Sequence, residues 1–181
     1  MAPSAMAEEL LEELGRRIDV LAATQPADTG VGIQGRIAGL RKLKASARAA
    51  AHDAAASIEQ KVLEVEIRVK IAEQAAAVEL AEDKDEFLDA LVEELHSWDV
   101  YLERLQVKVA TTAADRRDQA EGAIRQLRRH RNALGAGMAE VASTSGEAWY
   151  EVREHVKAAR TELESRAAEL EATLHGGRAG I

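Results

Sequence analysis

LDALVEELHSWDVYLERLQVKV (residues 88–109) places Leu88, Leu91, Leu95, Trp98, Leu102, Leu105 and Val109 at alternating steps of three and four. A half-buried strand would repeat every two residues. The 3-4 spacing instead lines all seven along one stripe of an α-helix, as a seam between packed helices requires. The chain is therefore read as all-α: long antiparallel helical hairpins of coiled-coil type, elongated, with two tandem hairpins as one arrangement.

A second stripe follows, with Trp149, Val152, Val156, Ala159, Leu163, Ala167, Leu170 and Leu174. It stops at Gly176-Gly177, a helix terminator, so 176–181 is read as a tail. Thr111 and Thr112, with Asp115 three residues after Thr112, have the form of a turn and a helix N-cap. Ser143-Thr144-Ser145-Gly146 interrupts the pattern, but Met138, Val141, Ser145, Ala148 and Val152 hold the heptad phase across it, which permits either a kink or a full turn.

Upstream, the only prolines are Pro3 and Pro26, and the 155 residues after Pro26 are rich in Ala, Leu, Glu, Arg and Lys, the strongest helix formers. Pro26, Asp28, Gly30 and Gly32 make residues 24–33 a loop between a first helix over about 5–23 and a second starting near Gln34. Acidic residues crowd 79–94 around a single Lys84, and this crowding favours a turn near 82–86. The expected domains are an N-terminal helical hairpin over 1–80 and a C-terminal one over 85–175.

Alanine is the largest single part of the 46% hydrophobic content, and only 3% of the chain is aromatic. Alanine buries little area per contact, so long seams must replace a thick core, at about 25 cal/mol per Å². With no cysteine, disulfides and thiolate chemistry are excluded. The N-terminus lacks a secretion signal, and no stretch approaches the length of a membrane span. A cytoplasmic location is expected. A net charge of −8 disfavours nucleic acid and anionic lipid as partners.

Shifting the chain by 87 residues lays Arg41, Lys42 and Lys44 on Arg128, Arg129 and Arg131, Ile37 and Leu40 on Ile124 and Leu127, and Glu64, Val65, Val69 and Lys70 on Glu151, Val152, Val156 and Lys157. The match is that of two related hairpins, although shared heptad periodicity alone also aligns such segments. Folding about Thr111 would set Arg128, Arg129 and Arg131 beside Glu94, Glu93 and Asp89. Folding at the Pro26 loop would set Lys42 and Lys44 beside Glu12 and Glu13.

Glu93 and His96 form a Glu-x-x-His pair of the kind found in di-metal bundles, but no second copy is present, and His52, His130, His155 and His175 lack ligand spacing. No metal site or cofactor is expected. The cluster Arg125, Arg128, Arg129, His130 and Arg131 contains no aromatic residue for base stacking. Trp98 and Trp149 fall on the stripes and read as large packing residues rather than as a ligand pocket. No glycine-rich phosphate loop or nucleophile elbow is present, and the chain is read as non-enzymatic.

Three segments carry a family resemblance: LHSWDVYLERLQVKV (95–109), AIRQLRRHRNAL (123–134) and Ser145-Gly-Glu-Ala-Trp149 leading into Val152 and Val156. Together they make residues 87–170 resemble a small bacterial coiled-coil stress-response family described from cyanobacteria. The second Trp usual in that family, ten residues on, is Ala159 here. The resemblance implies a non-enzymatic, stress-associated protein and carries no active-site residues.

Function is thus expected to be structural. The chain would self-associate into a homo-oligomer through Leu88, Leu91, Leu95, Trp98, Leu102, Leu105, Val109, Trp149, Val152, Val156, Leu163 and Leu170, with an unidentified protein partner also open. The alternative is a surface-active, phasin-like coat on a membrane or granule. A di-metal bundle ranks third.

Overall fold

The computed structural model describes residues 5–24, 31–50 and 55–175. Within these residues the chain is all-α: α1 (Ala5–Thr24), α2 (Val31–Ala50), α3 (Ala55–Leu80), α4 (Lys84–Ala110), α5 (Ala114–Ser143) and α6 (Trp149–His175), with a short 3-10 turn at Gly146–Ala148. The chain divides after Leu80 into two compact units, each with three α-helices among the described residues.

In the N-terminal unit α1, α2 and α3 pack pairwise against one another. Leu11, Leu14, Ile18 and Leu21 of α1 meet Ile37 and Leu40 of α2 and Val62, Val65, Val69, Ala72 and Ala76 of α3. Where the sequence reading expects a two-helix hairpin over 1–80, the described residues there form three helices, α2 and α3 being separate elements on either side of 51–54, which lie outside the described residues. The alanine-rich stretch there holds neither Gly nor Pro, so propensity alone reads through it. A straight helix over 34–80 would run about 70 Å and carry its second half away from α1, whereas α2 and α3 both pack against it. α2 begins at Val31 rather than Gln34, since the first turn of a helix has the fewest backbone ties for glycine to weaken. The expected loop over 24–33 otherwise lies largely outside the described residues, as does the tail 176–181.

The turn expected near 82–86 falls at 81–83, since α4 already runs from Lys84. Asp83 caps α4 by accepting from the Glu86 N–H at 2.9 Å, and Glu86 Oε2 accepts from the Glu82 N–H at 3.2 Å. These two bonds, with Asp85 and Glu86 in the first turn beside the positive end of the helix dipole, start α4.

In the C-terminal unit α5 packs closely against both α4 and α6. At the first corner Thr111 and Thr112 donate their hydroxyls back to the Lys108 carbonyl and close α4, while α5 opens at Ala113 with no side-chain cap. The N-cap expected ahead of Asp115 is thus replaced by a C-terminal closure, because a threonine hydroxyl can serve either neighbour. At the second corner the helix stops outright. Gly146 has φ +65°, a left-handed conformation that glycine adopts without penalty, and Lys84 Nζ donates to the carbonyls of Ala142 and Thr144 at 2.8 and 2.6 Å. Between the corners, Gly137 lets α5 approach α6: a Cβ there would stand 2.9 Å from Val156 Cγ2.

Candidate functional site

Most of the heptad residues lie inside the C-terminal unit. Leu91, Leu95, Trp98, Leu102, Leu105 and Val109 of α4, and Trp149, Val156, Leu163 and Leu170 of α6, are buried, whereas Leu88 and Val152 are half-buried. The stripes expected to bind a second copy are thus covered by helices of the same chain. A 3-4 stripe records that a face is buried without saying which chain covers it.

Chemically, the distinctive region is the seam between α4 and α6. These helices meet through long side chains rather than by close backbone approach. Arg160 Nε lies 2.7 Å from Glu94 Oε2, and both side chains are 1% exposed. Trp98 Nε1 donates to Glu94 Oε1 at 3.4 Å, and Tyr101 donates its hydroxyl to Glu171. At the other end Phe87 and Trp149 pack with ring centroids 6.1 Å apart, and the Arg153 guanidinium lies 5.5 Å from both rings. A buried ion pair needs further hydrogen-bond partners to offset its lost hydration, and here the Trp98 N–H supplies one to the Glu94 carboxylate.

The charge pairs differ from those expected. Arg131 meets Asp99 and Arg128 meets Gln106, rather than Asp89 and Glu94. Helical side chains lean toward their own N-terminus, so partners on antiparallel helices join across an offset between their backbones. Glu94 is thereby left to α6. In the N-terminal unit Lys44 Nζ lies over Gly15, where a Cβ would come within 1.8 Å, rather than beside Glu12 or Glu13. Arg41 meets Asp19 at 3.1 Å. Arg17 forks onto Glu73, at 2.9 and 2.5 Å, and ties α1 to α3. That hydrogen bond raises the Arg17 guanidinium pKa against the opposing effect of burial, and its charge is held throughout the physiological range.

Glu93 and His96 are both exposed on α4, His155 is exposed and His130 half-buried; His52 lies outside the described residues. Among the described residues no three His, Asp or Glu side chains cluster as metal ligands, and no helix is long and apolar enough to cross a membrane. In the basic cluster, Arg125 pairs with Glu121 at 3.8 Å and Arg129 is exposed. Sequence reading missed Arg160, although it falls four residues after Val156 and three before Leu163, on a stripe of its own. Glu94 likewise sits three after Leu91 and four before Trp98.

These features define the class: an all-α protein of two three-helix units, the second with a buried charge pair at one seam. No family model, no curated protein and no solved structure matches the chain.

Proposed function

We propose that the chain is a non-enzymatic helical structural and interaction protein, stress-associated, that assembles with copies of itself. The observation that carries this reading is the use made of its polar side chains. A catalytic acid or base must be free to meet a substrate. Here Glu94, Arg160, Asp99, Arg131, Arg17 and Glu73 are fixed on one another across helix pairs. Stress association rests on the likeness of the Ser145–Trp149 step and its neighbours to the stress-response family.

With most of the stripes interior, assembly would use outer faces, where Val20, Val92, Val107 and Tyr150 are 61%, 49%, 69% and 48% exposed. Light scattering behind size-exclusion chromatography, over a concentration series, tests this. A mass of two or more chains is expected, and a single-chain mass at every concentration would remove self-assembly.

A second reading, a coat on an apolar surface, draws on the α4–α6 seam. The chain's five aromatic residues, Phe87, Trp98, Tyr101, Trp149 and Tyr150, all lie on these two helices, which are joined mainly by side-chain bridges. Parting them would present aromatic faces suited to an interface. Co-sedimentation with neutral liposomes at physiological salt tests it, and protein left wholly in the supernatant would sink it.

A further inference from the structure

Val92, His96, Val100, Glu103 and Val107 form a second stripe on α4, about 140° round the helix from the buried stripe of Leu91 to Val109. Val92, His96, Glu103 and Val107 are exposed, and Val100 is half-buried. A single exposed valine is ordinary. Three at helical spacing are not, since valine is a poorer helix former than the Lys, Arg or Glu that a solvated face would carry. On one flank of the stripe stand Glu93 and Arg104, both exposed. Charge changes sign along the helix: Asp85, Glu86, Asp89 and Glu93 lie before Val100, whereas Arg104 and Lys108 lie after it, with Glu103 the one acid of that second half. Lys84, the one lysine or arginine of the first half, is turned to the α5–α6 corner.

We propose that this outer face of α4 is where two copies of the chain meet, α4 against α4, antiparallel about Val100; the proposal rests on the self-assembly reading and names its surface. Antiparallel pairing brings Val92 to the partner's Val107, His96 to the partner's Glu103 and Glu93 to the partner's Arg104, and two-fold symmetry makes each contact twice. Parallel pairing would instead set Glu93 on the partner's Glu93 and Asp89 on the partner's Asp89. The occupant is a second copy because the face is complementary to itself: its acidic half needs a basic half opposite, and α4 carries one. Flank charges of this kind choose orientation and register more than they add strength. The stripe spans about 23 Å, roughly four turns, and two such faces bury less than the roughly 1,200 Å² at which stable interfaces begin. Pairs therefore form and part with concentration.

The test follows the mass of the full chain by sedimentation equilibrium over a concentration series, with circular dichroism to show that each variant keeps its helices. Val107→Glu places a charge against the partner's Val92. Glu93→Arg and Arg104→Glu each set like charges together across the pair. Residues 93 and 104 stand about 16 Å apart along one helix, so neither can compensate the other within a chain. The wild type is expected to pass from one-chain to two-chain mass as concentration rises, and Val107→Glu to stay at one. Each charge variant is expected to raise the dissociation constant by about tenfold or more. An equimolar mixture of Glu93→Arg and Arg104→Glu is expected to recover two-chain mass at wild-type concentrations, since every flank contact of a mixed pair again joins opposite charges. A wild type that pairs while Val107→Glu pairs equally well overturns this surface and leaves self-assembly standing through another face. A wild type at one-chain mass throughout overturns both. A mixture that pairs no better than its two components overturns the antiparallel arrangement.

Discussion

Arg160 of α6 and Glu94 of α4 meet at 2.7 Å with 1% of either side chain exposed, so a full charge pair stands where the neighbouring heptad positions carry leucine, valine and tryptophan. Removing one partner leaves the other charged in an apolar interior. Arg160→Met alone is therefore expected to lower stability by about 3–5 kcal/mol, and Glu94→Met by a similar amount, whereas the two together fall near zero or raise stability by about 1–4 kcal/mol. Urea unfolding followed by tryptophan emission measures all three. If the double variant cost as much as the sum of the singles, the pair would not be acting as a unit.

Glycines on α5 and α2 should answer alanine in opposite ways. At Gly137 a Cβ would meet Val156 Cγ2 at 2.9 Å, and Val156 is buried and branched at Cβ, with no flexible end to move aside. Gly137→Ala is expected to destabilise by about 1–3 kcal/mol through overpacking, beyond the gain in helix propensity. Around Gly35 and Gly39 nothing lies within 4 Å of the added carbon, so alanine at either site should stabilise by about 0.5–1 kcal/mol. Thermal melts of the three single variants separate the two cases. A stabilising Gly137→Ala would mean that α5 and α6 stand further apart than this contact allows.

Helical class and most of the buried positions were legible because a 3-4 spacing follows from helix geometry alone. Leu91 to Val109 could be placed on a buried face before any partner was known. The covering partner was not legible: Leu95 or Leu163 would read the same whether a third helix or a second chain lay over it. That α2 and α3 are separate helices was hidden by alanine, which suits a helix interior well enough to mask an end. The polar seam was legible in part. Glu94 and Arg160 each sit on a 3-4 stripe, but charged residues there read first as flanks, and the offset that joins them across antiparallel helices depends on side-chain lean that no periodicity records.

Two residues far apart in sequence should govern the α5–α6 corner. Lys84 holds the carbonyls of Ala142, in the last turn of α5, and of Thr144, its C-cap, and Gly146 turns the chain at φ +65°. Lys84→Met is expected to cost about 1–3 kcal/mol, as loss of hydrogen bonds from a charged donor does. Gly146→Ala should cost about 1–2 kcal/mol for placing a Cβ in the left-handed region. Hydrogen exchange at the amides of 140–150 should rise in both variants. Unchanged exchange in Lys84→Met would show that the corner stands without its lysine.

The aromatic end of the seam gives the last prediction. Arg153 lies 5.5 Å from the centroids of both Phe87 and Trp149, one ring on each of the helices that Glu94 and Arg160 join further along. A guanidinium over a ring face is held by the ring quadrupole at about 0.5–2 kcal/mol, and its flat apolar faces also cover the rings from water. Arg153→Met keeps much of the stem and removes the charge, so it should cost about 1 kcal/mol and alter the emission of Trp149 while leaving that of Trp98 unchanged. A Trp98→Phe background isolates the Trp149 signal, and acrylamide quenching of it measures how far the cover has opened. Lysine at 153 keeps the charge but loses the plane that lies on the rings. If Arg153→Lys quenches like the wild type, charge alone holds this end of the seam; if it quenches like Arg153→Met, the planar cover is what matters.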